Sequence, residues 1–289
     1  MIYKSLREIA DIAQEGEKPF WRVVLDCEAA EQAQSFEEVF EKMRSMYRAM
    51  KYADEHYDPE LRSPSGMAGG DGAKLEKYRL GGKALLDGFI CLIMETAVKM
   101  GESNACMKRI VAAPTAGSCG VLPAVLLSYE KHRGIEEDRL VEALFVAGGI
   151  GEIIAENAGI SGAEGGCQAE IGSASAMAAG AVAYLEGGDT ECILNAVALA
   201  MKNMLGLTCD PVAGLVEVPC IKRNVSGAVN AVVSAQTALA GVTSVIPADE
   251  VIDSMRRIGR MLPECLRETS KDGLAVTDTA LRITDRLHG

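Results

Sequence analysis

Aromatic side chains are scarce in this chain: they make up 4% of 289 residues, with a single Trp. A core short of large rings has to be built by close approach of small side chains, and 30 glycines with abundant alanine supply them. Positive charge is also in deficit. Lys and Arg number 29 against 41 Asp and Glu, a net charge of −12. Nucleic acid and anionic membranes both need clustered Lys and Arg, so neither is expected as a partner. A small anionic substrate is still compatible, because it meets local charge and not net charge. No apolar h-region opens the sequence, since MIYKSLREIADIAQEGEK is charged and amphipathic. The nine cysteines are odd in number, and a secreted disulfide scaffold would be shorter, with an even count. Reduced thiols in a cytoplasm, some of them binding metal, are the expectation. The run 224–248 lacks any charge but carries Asn224, Ser226, Asn230, Ser234, Gln236, Thr237, Thr243 and Ser244. It is too polar for a lipid-exposed span, so it is expected to be a helix buried on all sides and broken near Gly241 and Pro247.

Strand-like alternation, internal repeats and low-complexity blocks are nearly or wholly missing, which predicts a mostly α fold. We expect a single all-helical domain with Gly-rich loops around a site, with 1–62 as an N-terminal helical segment packed on 63–289. Ser35 with Glu38 three residues on reads as a capping box. Phe36, Val39, Phe40, Met43, Met46, Tyr47 and Met50 then recur at helical spacing through to His56. The preceding stretch around KPFWRVVLDCEAA reads as a turn or short extended piece, with Trp21 as a local packing anchor. A buried helix is predicted over Leu80–Met100, with Cys91 and Cys106 as buried thiols.

Three loops are rich in glycine. In 63–72, Asp71 is placed to cap a helix, and the N–H groups of Gly69, Gly70, Asp71 and Gly72 are candidates to bind a substrate carboxylate. An ordinary capped loop is the competing reading. In APTAGSCG, the residues Thr115, Ala116, Gly117 and Ser118 are candidates to face a small polar ligand, and Cys119 either joins a metal site or fills a small pocket. The third loop, ISGAEGG, ends at Cys167. The glycine run AGGIG lacks the GK[ST] ending of a phosphate loop. Glu152 and Glu156 share one helix face, read as a polar face in preference to an acid–base pair.

Cys167, Cys209 and Cys220 are spaced C-x41-C-x10-C. Structural zinc prefers four ligands in close CxxC-type pairs, which this spacing lacks, and the three histidines lie far off at 56, 132 and 288. Iron–sulfur clusters accept widely spread thiolates, and three of them leave one iron open. Pro211 and Pro219 stiffen the loops that carry Cys209 and Cys220.

Several blocks carry a resemblance: SGMAGGDGAKLEKY, APTAGSCG, SGAEGGCQAEIGSASAMAAGA, KNMLGLTCDPVAGLVEVPCIKRN and IPADEVIDSMRRIGRMLPECLRET. Together they resemble the α chain of the iron–sulfur-dependent L-serine dehydratases over roughly 63–275. The resemblance implies an all-helical catalytic unit, a [4Fe-4S] cluster on Cys167, Cys209 and Cys220, and deamination of L-serine to pyruvate and ammonia in the cytoplasm. It further implies an iron that binds the serine hydroxyl as a Lewis acid while a base removes the α-proton. The Ser-Ser-Ser-His segment of the family's β portion does not occur here, so a β subunit is expected as partner and as a source of that base. Within the chain, Lys202 is the candidate base, although a helix C-terminal cation is the plainer role for it. Arg223 is a candidate for the substrate carboxylate, or pairs with Glu217. The terminal cysteine found in some members is replaced here by His288-Gly289. Three alternatives remain: a pyridoxal-phosphate dehydratase on an α/β fold, a non-catalytic metal-binding or regulatory subunit, and a β-eliminating enzyme for threonine or cysteine.

Overall fold

A computed structural model describes residues 3–288, which places Gly289 of the predicted tail outside the described residues. In chain order the helices are α1 Leu6–Glu15, α2 Phe20–Gln32, α3 Phe36–Glu55, α4 Asp71–Leu80, α5 Gly88–Ala105, α6 Val121–Arg133 and α7 Glu137–Asn157. They continue with the single turn α8 Gly162–Gly165, then α9 Ser173–Leu185, α10 Thr190–Lys202, α11 Cys220–Leu239, α12 Ala248–Met261 and α13 Asp278–His288. No strand forms among the described residues; one isolated bridge pairs Cys209 with Arg267. The sheet framework that a pyridoxal-phosphate reading requires is therefore missing from the described chain.

Small side chains decide the arrangement. Helix α9, SASAMAAGAVAYL, is buried along its whole length from Ser173 to Tyr184, and α6, α7, α10 and α11 surround it. A helix hydrophobic or small on every side belongs in an interior. Gly180 and Gly227 mark how close these helices come. A Cβ on Gly180 would stand 2.3 Å from Ile150 Cδ1, and one on Gly227 2.7 Å from Ile171 Cγ2. Outside this centre, α2 and α3 pack on α7, where Phe36, Phe40 and Phe145 stack and Trp21 meets Phe40 edge-on. Burying Phe145 fully contributes about 2–3 kcal/mol. One hydrophobic cluster runs from Tyr3 to Met255, so the N-terminal helices share a core with the remainder.

The capping box at Ser35 forms in full, with Ser35 Oγ accepting from Glu38 N–H and Glu38 accepting from Ser35 N–H. Four local expectations need correction. The stretch around KPFWRVVLDCEAA is helical, not extended, because Phe20, Val23, Val24 and Leu25 bury against the core once coiled into α2. The predicted helix over Leu80–Met100 is two helices: α4 ends at Leu80, α5 starts at Gly88 under an Asp87 cap, and Leu85 between them is 92% exposed. Cys91 and Cys106 are half-buried. The uncharged run is not buried on all sides, since Ser226, Val233 and Gln236 expose one stripe of α11. Its break falls as expected between Leu239 and Ala248. Among the described residues no helix is long and apolar enough to cross a membrane.

Candidate active site around three cysteines

The three cysteines come from three separate segments, and buried polar side chains tie those segments together. Cys167 follows Gly166, whose φ of +78° and whose contacts (a Cβ would lie 2.7 Å from Leu262 Cδ1 and 2.9 Å from Leu207 O) admit only glycine. The chain then makes a π-helical turn, Gln168–Gly172, before α9 begins. Gln168, fully buried, acts as a clamp. Its amide donates to Gly165 O and Met255 O, it accepts from Gly206 N–H, and its backbone N–H donates to Leu207 O. This holds the Cys167 turn to the strand-like approach of Cys209. Cys209 is fixed in turn by Leu266 and Glu268, which bond its N–H and its C=O. Cys220 opens α11. One turn later Asn224 donates to Cys220 O and Gly117 O at 2.9 and 2.8 Å and accepts from Gly120 N–H at 2.9 Å, locking APTAGSCG to the start of α11. All three thiols are buried, at 2%, 2% and 5% exposure.

Residues 15–275 match the family described as the serine dehydratase alpha chain. This chain belongs to that family. It is 43% identical over 288 residues to the probable L-serine dehydratase, alpha chain, of Bacillus subtilis (strain 168), covering 100% of this chain and 96% of that one. It is 39% identical over 280 residues to the L-serine dehydratase, alpha chain, of Peptoniphilus asaccharolyticus, covering 96% of each. The L-serine dehydratase of Helicobacter pylori (strain ATCC 700392 / 26695) is 37% identical over 284 residues. That match takes in 95% of this chain but 62% of the relative, which therefore has sequence beyond the shared region.

The electrostatics of the serine dehydratase alpha chain site follow from its geometry. Cys167 and Cys209 face one another. Hydrogen bonding from Cys209 and the nearby Arg223 guanidinium hold the Cys167 thiol below its ordinary range, against the opposing effect of burial. The same hydrogen bond, with burial, holds the proton on Cys209. Burial pushes Cys220 up to about 12, with the charge of Cys167 adding to it. Arg223 loses by burial but gains more from Cys167 and Asp210, and is held above its usual value. It pairs with Asp210 at 2.8 Å and donates to Thr208 O at 2.7 Å. The expected alternative partner, Glu217, instead accepts from Ser63 and Ser65, both at 2.7 Å.

The donor set fits an iron–sulfur group in kind: three buried thiols with a guanidinium beside them and no imidazole. It does not fit a lone ion, because among the described residues no three His, Cys, Asp or Glu side chains close on one point. Cys119 stands apart. Its thiol is 1% exposed, burial pushes it up to about 12, and it donates to Met100 O at 3.8 Å, so it fills a pocket.

The glycine loops land differently. The N–H groups of Gly69, Asp71 and Gly72 do bind a carboxylate, but it belongs to the protein: Glu102, 1% exposed, accepts them at 3.2, 2.8 and 3.1 Å. Tyr57 adds a hydroxyl donor at 2.6 Å. Gly70, not Asp71, is the cap residue, at φ +82°; Asp71 is the first helical residue and pairs with Lys74 and Lys222. By contrast, the 115–118 loop meets Glu170, at the edge of the thiol site, through Thr115 and Gly117. Thr115 Oγ1 donates to Glu170 at 2.7 Å and meets Ser118 Oγ at 3.1 Å, while Ala116 O accepts from Asn104. Lys202 is turned toward the loop after α11, where its Nζ bonds Ser244 Oγ at 2.9 Å.

Glu170 is the functional candidate that sequence reading missed. Burial raises its carboxyl above the ordinary range, Thr115 opposes this, and Glu268 adds to it. A signal was present: Glu170 is the one charged residue between Cys167 and Leu185.

Proposed function

We propose that this chain is the catalytic alpha chain of an L-serine dehydratase, deaminating L-serine to pyruvate and ammonia with a β subunit as partner. The burial of Cys167, Cys209 and Cys220 within electrostatic reach of one another and of Arg223, in a chain of this family, carries the reading. The names borne by the Bacillus subtilis and Peptoniphilus asaccharolyticus relatives support both the substrate and the existence of a second chain. On this reading Cys167, Cys209 and Cys220 hold a [4Fe-4S] cluster. When bound, such a cluster supplies a Lewis-acidic iron that makes a hydroxyl a better leaving group.

The chain's own residues then have separable tasks. Arg223 sets the charge next to Cys167 and, through Asp210 and Thr208, fixes the Cys209 loop. Gln168 and Asn224 keep the three thiol segments in register. The Thr115–Ser118 loop orients Glu170. Burial of the thiols keeps water from them. No histidine serves here: His56 caps α3 against Tyr52, His132 stacks on Phe89, and His288 ends α13. With Lys202 on Ser244, the base for the α-proton is assigned to the β subunit. The test is pyruvate formation from L-serine by anaerobically reconstituted α chain, with and without the β chain. Turnover that needs both chains is the expected result. A reconstituted pair that binds iron yet forms no pyruvate would move the chain to a metal-binding regulatory role, and a panel with threonine and cysteine fixes the substrate.

A further inference from the structure

Most interior carboxylates of this protein are paired with a cation or held by several donors. Among the described residues, Glu152 and Glu170 each take a single hydroxyl and no cation, and of these two only Glu170 lies at the thiol site. Glu95 is paired with Arg79 at 2.8 Å and Lys99 at 2.7 Å. Asp210 is paired with Arg223. Glu102 receives four donors, and Glu217 receives two hydroxyls. Glu170 receives one hydroxyl, from Thr115 to Oε1, and no cation among the described residues pairs with it. The charges that act on it, or that it acts on, are Glu268 and the three thiols, all of acidic groups. A partly buried carboxylate in such company is costly unless something positive arrives.

The backbone around it is cut away to keep the carboxylate clear. A Cβ on Gly117 would stand 2.8 Å from Glu170 Oε1, and a Cβ on Gly162 would stand 2.8 Å from Oε2 and 3.2 Å from Cys209 Sγ. Two glycines, Gly117 in the 115–118 loop and Gly162 at the start of α8, thus make room for the same side chain, at the edge of the thiol site. The π-helical turn sets Glu170 there, with Thr115 fixing one oxygen and leaving the lone pairs of the other without a described donor.

We propose that Glu170 is the substrate-binding residue that receives the α-ammonium group of the amino-acid substrate, and so selects amino acids over hydroxy acids of the same size. This rests on the serine dehydratase reading above and assigns to its site the one substrate group of positive charge. The carboxylate and the ammonium each lose solvation on binding, and each is compensated by the other. A 2-hydroxy acid or a 3-hydroxy acid without nitrogen leaves Glu170 as it was, an unpaired anion facing a second anion.

The test uses the reconstituted enzyme with its β chain. Steady-state kinetics with L-serine are compared for wild type, Glu170→Gln and Glu170→Asp. Equilibrium titration calorimetry with ethanolamine and with 3-hydroxypropionate, which carry the ammonium alone or the carboxylate alone, provides a readout independent of turnover. Iron content and circular dichroism check that each variant is folded and loaded. In Glu170→Gln, KM for L-serine is expected to rise about 10- to 100-fold. Ethanolamine binding is expected to be lost, while 3-hydroxypropionate binds as well as before or better. Glu170→Asp keeps the charge and recovers part of the ethanolamine binding. If the glutamine variant does not fold, the wild type decides the matter, since it has to bind L-serine at least tenfold more tightly than glycerate. An unchanged KM in a folded Glu170→Gln, an equal loss for ethanolamine and 3-hydroxypropionate, or a wild type indifferent to the ammonium would overturn the assignment. A wild type that does not turn over L-serine at all would overturn the functional reading instead.

Discussion

Replacing Glu102 with Gln perturbs a group that carries no predicted chemistry but sits behind the Cys220 segment. The wild-type carboxylate accepts from Gly69 and Asp71 on one oxygen and from Gly72 and Tyr57 on the other. Glutamine retains one oxygen for the first pair. Its amide nitrogen then faces the second, where the Tyr57 hydroxyl can turn to accept but Gly72 N–H cannot. One buried donor left unsatisfied costs about 1–3 kcal/mol, and loss of the negative charge weakens the two bonds that remain by about 0.5–1 kcal/mol each. The sum is roughly 2–5 kcal/mol. The effect reaches the thiol site because the 63–72 loop is pinned to the start of α11 by Asp71–Lys222 and, through Ser63 and Ser65, to Glu217. Urea unfolding followed by circular dichroism measures the loss, and limited proteolysis within 63–72 reports it locally. A shift below about 0.5 kcal/mol with no new cleavage in the loop would refute the view that Glu102 organises it.

Other substitutions follow the same logic. Asn224→Ala removes two donated bonds and one accepted bond in a buried place, and is expected to cost about 2–4 kcal/mol and to lower iron retention, read by thermal unfolding and metal analysis. Gly120→Ala puts a Cβ 2.6 Å from Ala97 O, a backbone atom that cannot step aside, so α5 and α6 separate at a cost of about 1–3 kcal/mol in urea unfolding. The Arg7 hydrogen bond holds the Glu191 carboxyl below its ordinary value, so its contribution is present above the unfolded carboxyl range and lost as pH falls through the lowered folded value. The pair is about half exposed, at 49% and 58%, so solvent screening limits it to under about 1 kcal/mol. Stability–pH curves of wild type and Glu191→Gln are therefore expected to converge in acid and to separate slightly near neutrality.

Local pattern reached some of this structure and not the rest. The capping box at Ser35 is written in neighbouring residues and forms as read, and the small residues that the composition marks for close helix approach fill α9. The stretch after Lys18 misled because Pro19, Val23 and Val24 disfavour a helix locally, whereas burial of Phe20, Val23 and Leu25 against the core favours one. Gly69 to Gly72 had the right chemistry for a carboxylate, but the carboxylate that fills them lies 30 residues on, at Glu102, a distance that no local pattern reports. Lys202 is near Cys209 in sequence, yet the orientation of the last turn of α10 delivers it to Ser244. The π-helical turn that places Glu170 has no signature in QAEIG.

Metal content tests the assignment of a cluster to Cys167, Cys209 and Cys220 most directly. Wild type, Cys209→Ala and Cys119→Ala are purified without oxygen, reconstituted, and analysed for iron, sulfide and visible absorption. The expected result is about four irons and four sulfides per chain with a broad band near ~400 nm. These are lost in Cys209→Ala and kept in Cys119→Ala, whose thiol only fills a pocket. A wild type that stays colourless and free of iron, or a Cys209→Ala variant that retains the wild-type complement, would contradict it.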